Sequence, residues 1–190
     1  MMTIKITGDY PDIQRIVTGF HSLDTALSNK NSLGIPLTIY DVSGYSGVGK
    51  STMVLSLAGM IASAAKKNIA ISPIEELDKS LMTSVLEMQG FDGEVHILLD
   101  ENDEKTIDAL LEDITKDDTT VGILDSVGAI SPIAELEADS IADVNMGRRA
   151  QLMAKLSRHI LHIQRFRKSP LSFFMISHLH AVIGGRGSIT

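Results

Sequence analysis

The chain has 190 residues, no cysteine, a net charge of −7 and 44% hydrophobic residues. That balance fits one domain of ordinary size and excludes disulfides, thiolate metal sites and intrinsic disorder. The acidic total leaves any nucleic-acid contact to a local basic patch. No apolar run reaches the ~20 residues of a membrane span, and the first residues lack a signal-peptide pattern. The expectation is a cytoplasmic protein with no membrane partner.

In chain order, residues 36–42 read as the first strand. Residues 52–65 read as a helix, apolar nearly all round through Val54, Leu55, Leu57, Ala58, Ile61 and Ala62, as for a helix packed on a sheet. Strands are expected at 69–74 and 95–99, helices at 79–89 and 106–114. Residues 121–124 form a short buried strand ending at Asp125. A long helix is expected at 145–167 and a last apolar strand at 171–177. Met53, Met60, Met82, Met88 and Met153 read as core filler on these helices. Strands alternating with helices predict an α/β fold, a mainly parallel sheet with helices on both faces. The glycine-rich stretch 183–188 reads as a mobile loop.

Between the first strand and the first helix, Gly44, Tyr45, Ser46, Gly47, Val48, Gly49, Lys50 and Ser51 match the phosphate-binding pattern G-x-x-x-x-G-K-S/T without a mismatch. Glycines let several backbone N–H groups converge on phosphate, and the helix beginning near Lys50 adds its positive end. Lys50 can reach the β- and γ-phosphates, and Ser51 can place its hydroxyl on Mg2+. Thr52, at the start of the helix, extends the nucleotide-contacting set. ATP and Mg2+ are the expected cofactors.

Four further features carry possible chemistry. Asp125 closes a buried strand, where a carboxylate can support the magnesium shell or simply start a turn. Glu75 and Glu76 close another; one of them could position the attacking water, or both form a solvated acidic turn. His178 follows the last strand, where ligands gather in parallel sheets. It either senses the terminal phosphate or is structural, and His180 is a weaker candidate. Residues 147–168 hold seven basic residues and no acidic one: Arg148, Arg149, Lys155, Arg158, Arg165, Arg167 and Lys168. They could contact DNA phosphates or a neighbouring subunit, or be a solvated face. The preceding acidic run, Glu135, Glu137, Asp139 and Asp143, could pair with them between subunits.

These motifs resemble the RecA family of strand-exchange recombinases, over about residues 16–190. Thr18-Gly19-Phe20-His21-Ser22-Leu23-Asp24-Thr25-Ala26-Leu27 resembles its entry segment, and Asp125-Ser126-Val127-Gly128-Ala129-Ile130 its "D-S-V-A-A-L". Ala134-Glu135-Leu136-Glu137 and Ile141-Ala142-Asp143-Val144-Asn145-Met146-Gly147 resemble the first DNA-binding loop of the family. The resemblance implies Glu75 as catalytic glutamate, Asp78 as an adenine contact, and His178 as coupling the γ-phosphate to a second DNA loop near 184–190. Lys50 then joins Glu75 and His178 in catalysis, and Ser51 and Asp125 hold the metal. It also implies single-stranded DNA as partner, self-association into a filament or ring, and a role in homologous recombination and DNA repair. His178 stands where bacterial members have glutamine, Pro73 where they have aspartate, and Leu81 where a tyrosine stacks on adenine. The expectation is one ATPase core over 1–190, with a short N-terminal segment at 1–17 and the family's C-terminal strands missing. Two other readings remain open. The paired Glu75 and Glu76 resemble the KaiC and hexameric helicase groups of regulatory or motor ATPases. A non-catalytic, nucleotide-dependent binding module would fit a shortened chain.

Overall fold

A computed structural model describes residues 13–29, 32–133 and 147–179. The chain enters through a small two-stranded sheet in which β1 (Arg15–Ile16) runs antiparallel to β2 (Ile35–Pro36). Helix α1 (His21–Ala26) lies between them. Its buried Asp24 accepts hydrogen bonds from the Thr18 hydroxyl at 2.8 Å and the Gly19 amide at 2.9 Å. The Arg15 guanidinium donates to the carbonyls of Leu27 and Gly34, tying the unit together.

The main sheet holds β3 (Ile39–Gly44), β4 (Asn68–Pro73), β5 (Val95–Ile97), β6 (Thr119–Asp125) and β7 (Ser172–His178). Their spatial order is β3-β7-β6-β4-β5, and every pairing is parallel. Parallel neighbours need crossovers, supplied by α2 (Lys50–Ala65), α3 (Lys79–Met88), α4 (Asp103–Thr115) and α5 (Arg148–Phe166). The period-2 alternation of strand side chains divides the core in two. Ile69, Ile71, Val121, Ile123, Phe174 and Ile176 pack toward α2 and α3. Ala70, Leu124, Leu171 and Phe173 pack toward α4 and α5. Gly122 allows this second layer to close, since a Cβ there would stand 2.6 Å from the Phe173 ring. The α/β fold read from the sequence is the fold observed.

Several details differ from the sequence reading. The expected strand 36–42 is two elements. Pro36 belongs to β2 opposite Arg15, and β3 begins only at Ile39. The edge strand β5 ends at Ile97, and Leu99 is 66% exposed. Met88 and Met53 are not core filler, being 81% and 41% exposed; the buried residues of α3 are Met82, Val85 and Leu86. Helix α5 starts at Arg148, after Gly147 with φ of +107°. Arg167 does not join the solvent-facing basic residues. It turns inward just past α5, donating to the carbonyls of Ile114 and Thr119 and lying 3.6 Å from Asp117.

Candidate active site at the carboxyl end of the sheet

The carboxyl ends of β3, β4, β6 and β7 bring five of the expected residues, Lys50, Ser51, Glu75, Asp125 and His178, into one cleft. Gly44 ends β3, and the chain turns through exposed Tyr45, Ser46, Gly47, Val48 and Gly49 into α2. Gly47 and Gly49 have φ of +76° and +87°. An added Cβ would meet nothing within 4 Å at either, so the need for glycine is conformational rather than steric. The first turn of α2 contains no acidic residue. Its free amides and positive dipole end face the cleft without internal neutralisation.

Lys50 opens α2 and is 7% exposed. Its ammonium donates to the Tyr45 carbonyl at 2.8 Å and lies 3.2 Å from Nδ1 of His178. An ammonium cannot accept, so Nδ1 is the acceptor and the imidazole carries its proton on Nε2. That Nε2 lies 3.4 Å from Oε2 of Glu75. His178 thus stands between the loop lysine and the glutamate. Its place comes from register, since Gly44 and His178 are paired across β3 and β7, and the Leu179 amide donates to the Gly44 carbonyl at 3.0 Å.

Ser51, next on α2, donates from its hydroxyl to Oδ2 of Asp125 at 2.7 Å. Asp125 ends β6. Its carbonyl accepts from the Ile74 and Glu75 amides at 2.6 and 3.2 Å, which fixes the start of the Glu75 loop against it. Burial pushes the Asp125 carboxyl above its ordinary value, and the charge of Glu75 adds to that; the Ser51 hydroxyl, His178 and Lys50 oppose it. A hydroxyl and a carboxylate in contact, with surplus negative charge, form the hard-oxygen donor set that Mg2+ prefers. Ser51 and Asp125 therefore fit that ion. The donor atoms of Glu75, Asp125 and His178 also lie within 4.8 Å of one another.

Ser126 entered the sequence reading only as part of the string 125–130, without a role of its own. It is fully buried, follows a cis peptide bond, and its hydroxyl donates to Oε1 of Glu75. With His178 on the other oxygen, both carboxylate oxygens of Glu75 are oriented. The signals in the sequence were its position beside Asp125 and its place in that string.

Asp78 stands apart from this cluster. It caps α3, accepting from the Leu81 amide at 3.0 Å, with its side chain at the surface. Thr52 is exposed on the first turn of α2, and Glu76 is exposed beside Glu75. The acidic run and first DNA-loop resemblance at 134–146, His180 and the second-loop stretch to 190 lie outside the described residues. The basic residues Arg148, Arg149, Lys155 and Arg158 are exposed on α5, and Arg149 donates to the Gly128 carbonyl at 3.0 Å. Among the described residues, no helix is long and apolar enough to cross a membrane.

The family model of the RecA N-terminal domain matches residues 2–185. The chain belongs to the RecA family. A RecA protein of Sulfurovum sp. is 30% identical over 191 residues, covering 97% of this chain and 52% of that protein. RecA proteins of Mannheimia haemolytica and Rhodopirellula baltica are 29% and 31% identical, each over 78% of this chain and 39% and 38% of their own lengths. The chain spans about half or less of these curated relatives. A RecA-family assignment agrees with the parallel sheet and with the loop-to-helix step at Gly44–Ser51.

Proposed function

We propose that residues 1–190 are a RecA-like ATPase core that binds ATP with Mg2+, hydrolyses it in response to single-stranded DNA, and self-associates in homologous recombination and repair. The carrying observation is the convergence of Lys50, Ser51, Glu75, Asp125 and His178 from four strand ends on one cleft beside a glycine-rich helix start. The loop amides from Gly44 to Gly49 and the first turn of α2 receive the phosphates. Lys50 exchanges its contacts at Tyr45 and His178 for phosphate oxygens. Ser51 and Asp125 would hold Mg2+, which would supply positive charge against the β- and γ-phosphates. Glu75, held by Ser126 and His178, accepts a hydrogen bond from the attacking water and aims it. His178 loses its lysine contact when phosphate enters, and as the last residue of β7 it passes that change to the chain that follows, residues 180–190. DNA contact falls to exposed basic residues at the start of α5 and to the two loops, and is mostly with backbone phosphates.

The exposed pair Glu75–Glu76 favours one second reading, a regulatory or helicase-type ATPase of the same fold. Both readings meet one experiment: hydrolysis with and without long single-stranded DNA, with Lys50→Ala as control. Stimulation by DNA that Lys50→Ala abolishes supports the recombinase core. Hydrolysis indifferent to DNA supports the second reading. Nucleotide binding unaffected by Lys50→Ala overturns both.

A further inference from the structure

The cleft contains two different donor sets for cations, and they suit different ions. Ser51 and Asp125 offer oxygen alone, 2.7 Å apart. Glu75, Asp125 and His178 offer two carboxylates and one imidazole, with ligand atoms all within 4.8 Å. Imidazole nitrogen is a poor donor for Mg2+ and a good one for Zn2+ and Co2+. We propose that Glu75, Asp125 and Nε2 of His178 form a site for a borderline transition dication of the Zn2+ class, separate in preference from the Ser51–Asp125 magnesium pair. For its effect on nucleotide binding, the inference rests on the reading of this cleft as the ATP site.

The geometry supports each ligand. Around tetrahedral zinc with bonds of about 2.0–2.1 Å, donor atoms stand roughly 3.3 Å apart. The His178 Nε2 to Glu75 Oε2 distance is 3.4 Å. The whole set lies within 4.8 Å, so closing it to tetrahedral spacing takes side-chain movements of on the order of 1 Å. Ser126 holds the second oxygen of Glu75, the kind of outer hydrogen bond that orients a ligating carboxylate. Two carboxylates facing one ammonium leave surplus negative charge in a half-buried place, which a dication compensates.

The site also acts on Lys50. A metal on Nε2 leaves the neutral imidazole with its proton on Nδ1. Nδ1 then donates and can no longer accept from the ammonium 3.2 Å away. Lys50 keeps its Tyr45 carbonyl and is released from His178. Metal occupancy is in this way coupled to the phosphate-binding lysine.

The test is titration of the 190-residue chain with CoCl2 and ZnCl2, without nucleotide or Mg2+, followed by Co2+ visible absorption and calorimetry. Binding of a fluorescent ATP analogue with Mg2+ is measured on the same samples. One Co2+ per chain with the intense bands of a four- or five-coordinate ion is expected. His178→Gln and Glu75→Gln should each weaken binding at least about tenfold, since even an outer-shell partner is worth that much. Far-ultraviolet circular dichroism confirms that both variants fold. Metal binding unchanged in His178→Gln overturns the proposal, as does binding abolished instead by replacing His159 and His162 with Gln. Absence of Co2+ and Zn2+ binding while the ATP analogue still binds overturns the metal site and leaves the ATP reading standing. Metal binding lost in His178→Gln, with no ATP-analogue binding in the parent chain, keeps the metal site and removes the ATP reading.

Discussion

Two histidine–carboxylate clusters sit on this sheet, and they have opposite characters. At the carboxyl end, His178 stands between Lys50 and Glu75, and the partners of each are split among several strand ends. On the α4 face nearer the amino end, His96 of β5 lies 2.9 Å from the Asp113 carboxylate. Asp113 also accepts from the Thr119 hydroxyl at 2.8 Å and from Lys116 at 3.3 Å. Its side chain is only 6% exposed, against 44% for Glu75. The Asp113 cluster is closed, each polar group satisfied by a neighbour, and it clamps α4 to β5 and β6. The Glu75 cluster is open toward a glycine-lined helix start. The same residue types therefore do different work, and what separates them is whether the carboxylate still faces space that a ligand can enter.

The largest effect that breaks this comparison is on chemistry. Glu75→Gln keeps the shape and the Ser126 contact but removes the charge that, in the proposed function, aims water. Hydrolysis should fall by roughly 10²–10⁴-fold while binding of an ATP analogue changes little. A single-turnover assay beside a binding titration checks it, and loss of binding in parallel with turnover would mean that Glu75 shapes the pocket instead. Asp113→Ala should do the reverse. It leaves the Thr119 hydroxyl buried without its acceptor, Lys116 without its counter-charge and His96 with only the exposed Glu94, costing about 3 kcal/mol in urea unfolding. ATP-analogue binding should be unaffected.

The open site was more legible in the sequence than the closed clamp. The loop Gly44–Ser51 reads directly because its chemistry depends on local backbone freedom, and φ of +76° and +87° at Gly47 and Gly49 accounts for the spelling. Asp125 was legible because a buried strand ending in a carboxylate is a local pattern. The Lys50–His178 contact was not, because it joins residues 128 apart through the pairing of β3 with β7. Ser126 was hidden for the same reason. Charge counting also misplaced Arg167, since it says nothing of direction. That residue lies just past the last turn of α5, where the chain has turned extended and the side chain points to the carbonyls of Ile114 and Thr119. Met88 was misread because the apolar face of α3 runs through Met82, Val85 and Leu86, and a residue two further on falls on the other side.

Asp78 sharpens the boundary between structural and functional carboxylates. As the cap of α3 it should cost about 1 kcal/mol when changed to Ala, and Asp78→Ser should restore most of it, because serine caps a helix nearly as well. An adenine contact behaves differently, since both variants would then weaken ATP relative to GTP. Thermal unfolding of the pair, with ATP and GTP binding measured on each, separates the two roles. The surface position and the Leu81 amide contact favour the cap.

The smallest effect belongs to His96, and its sign is fixed by the clamp. The hydrogen bond that His96 donates to the Asp113 carboxylate holds the imidazole above its ordinary value of 6.5 against the opposing effect of burial, and Glu94 adds to the rise. A folded-state value above the unfolded one means that the stabilisation is fully present below 6.5 and is lost as pH rises through the elevated value. Asp113 works in the opposite direction. Burial pushes it up, but His96, Thr119 and Lys116 together hold it below 3.8, so its contribution is present above 3.8 and lost as pH falls through the depressed value. Stability from the pair should therefore be greatest between these limits. Urea unfolding across that range should show a decline above pH 6.5 in the parent chain that is absent in His96→Gln. Lys116 shares the Asp113 carboxylate with His96 and is the weaker of its two cationic partners. With Lys116→Gln the carboxylate leans further on His96, and the decline should grow. A parent curve that matches His96→Gln at every pH would mean that the clamp holds neutral histidine, and that Asp113 is stabilised by Thr119 and Lys116 alone.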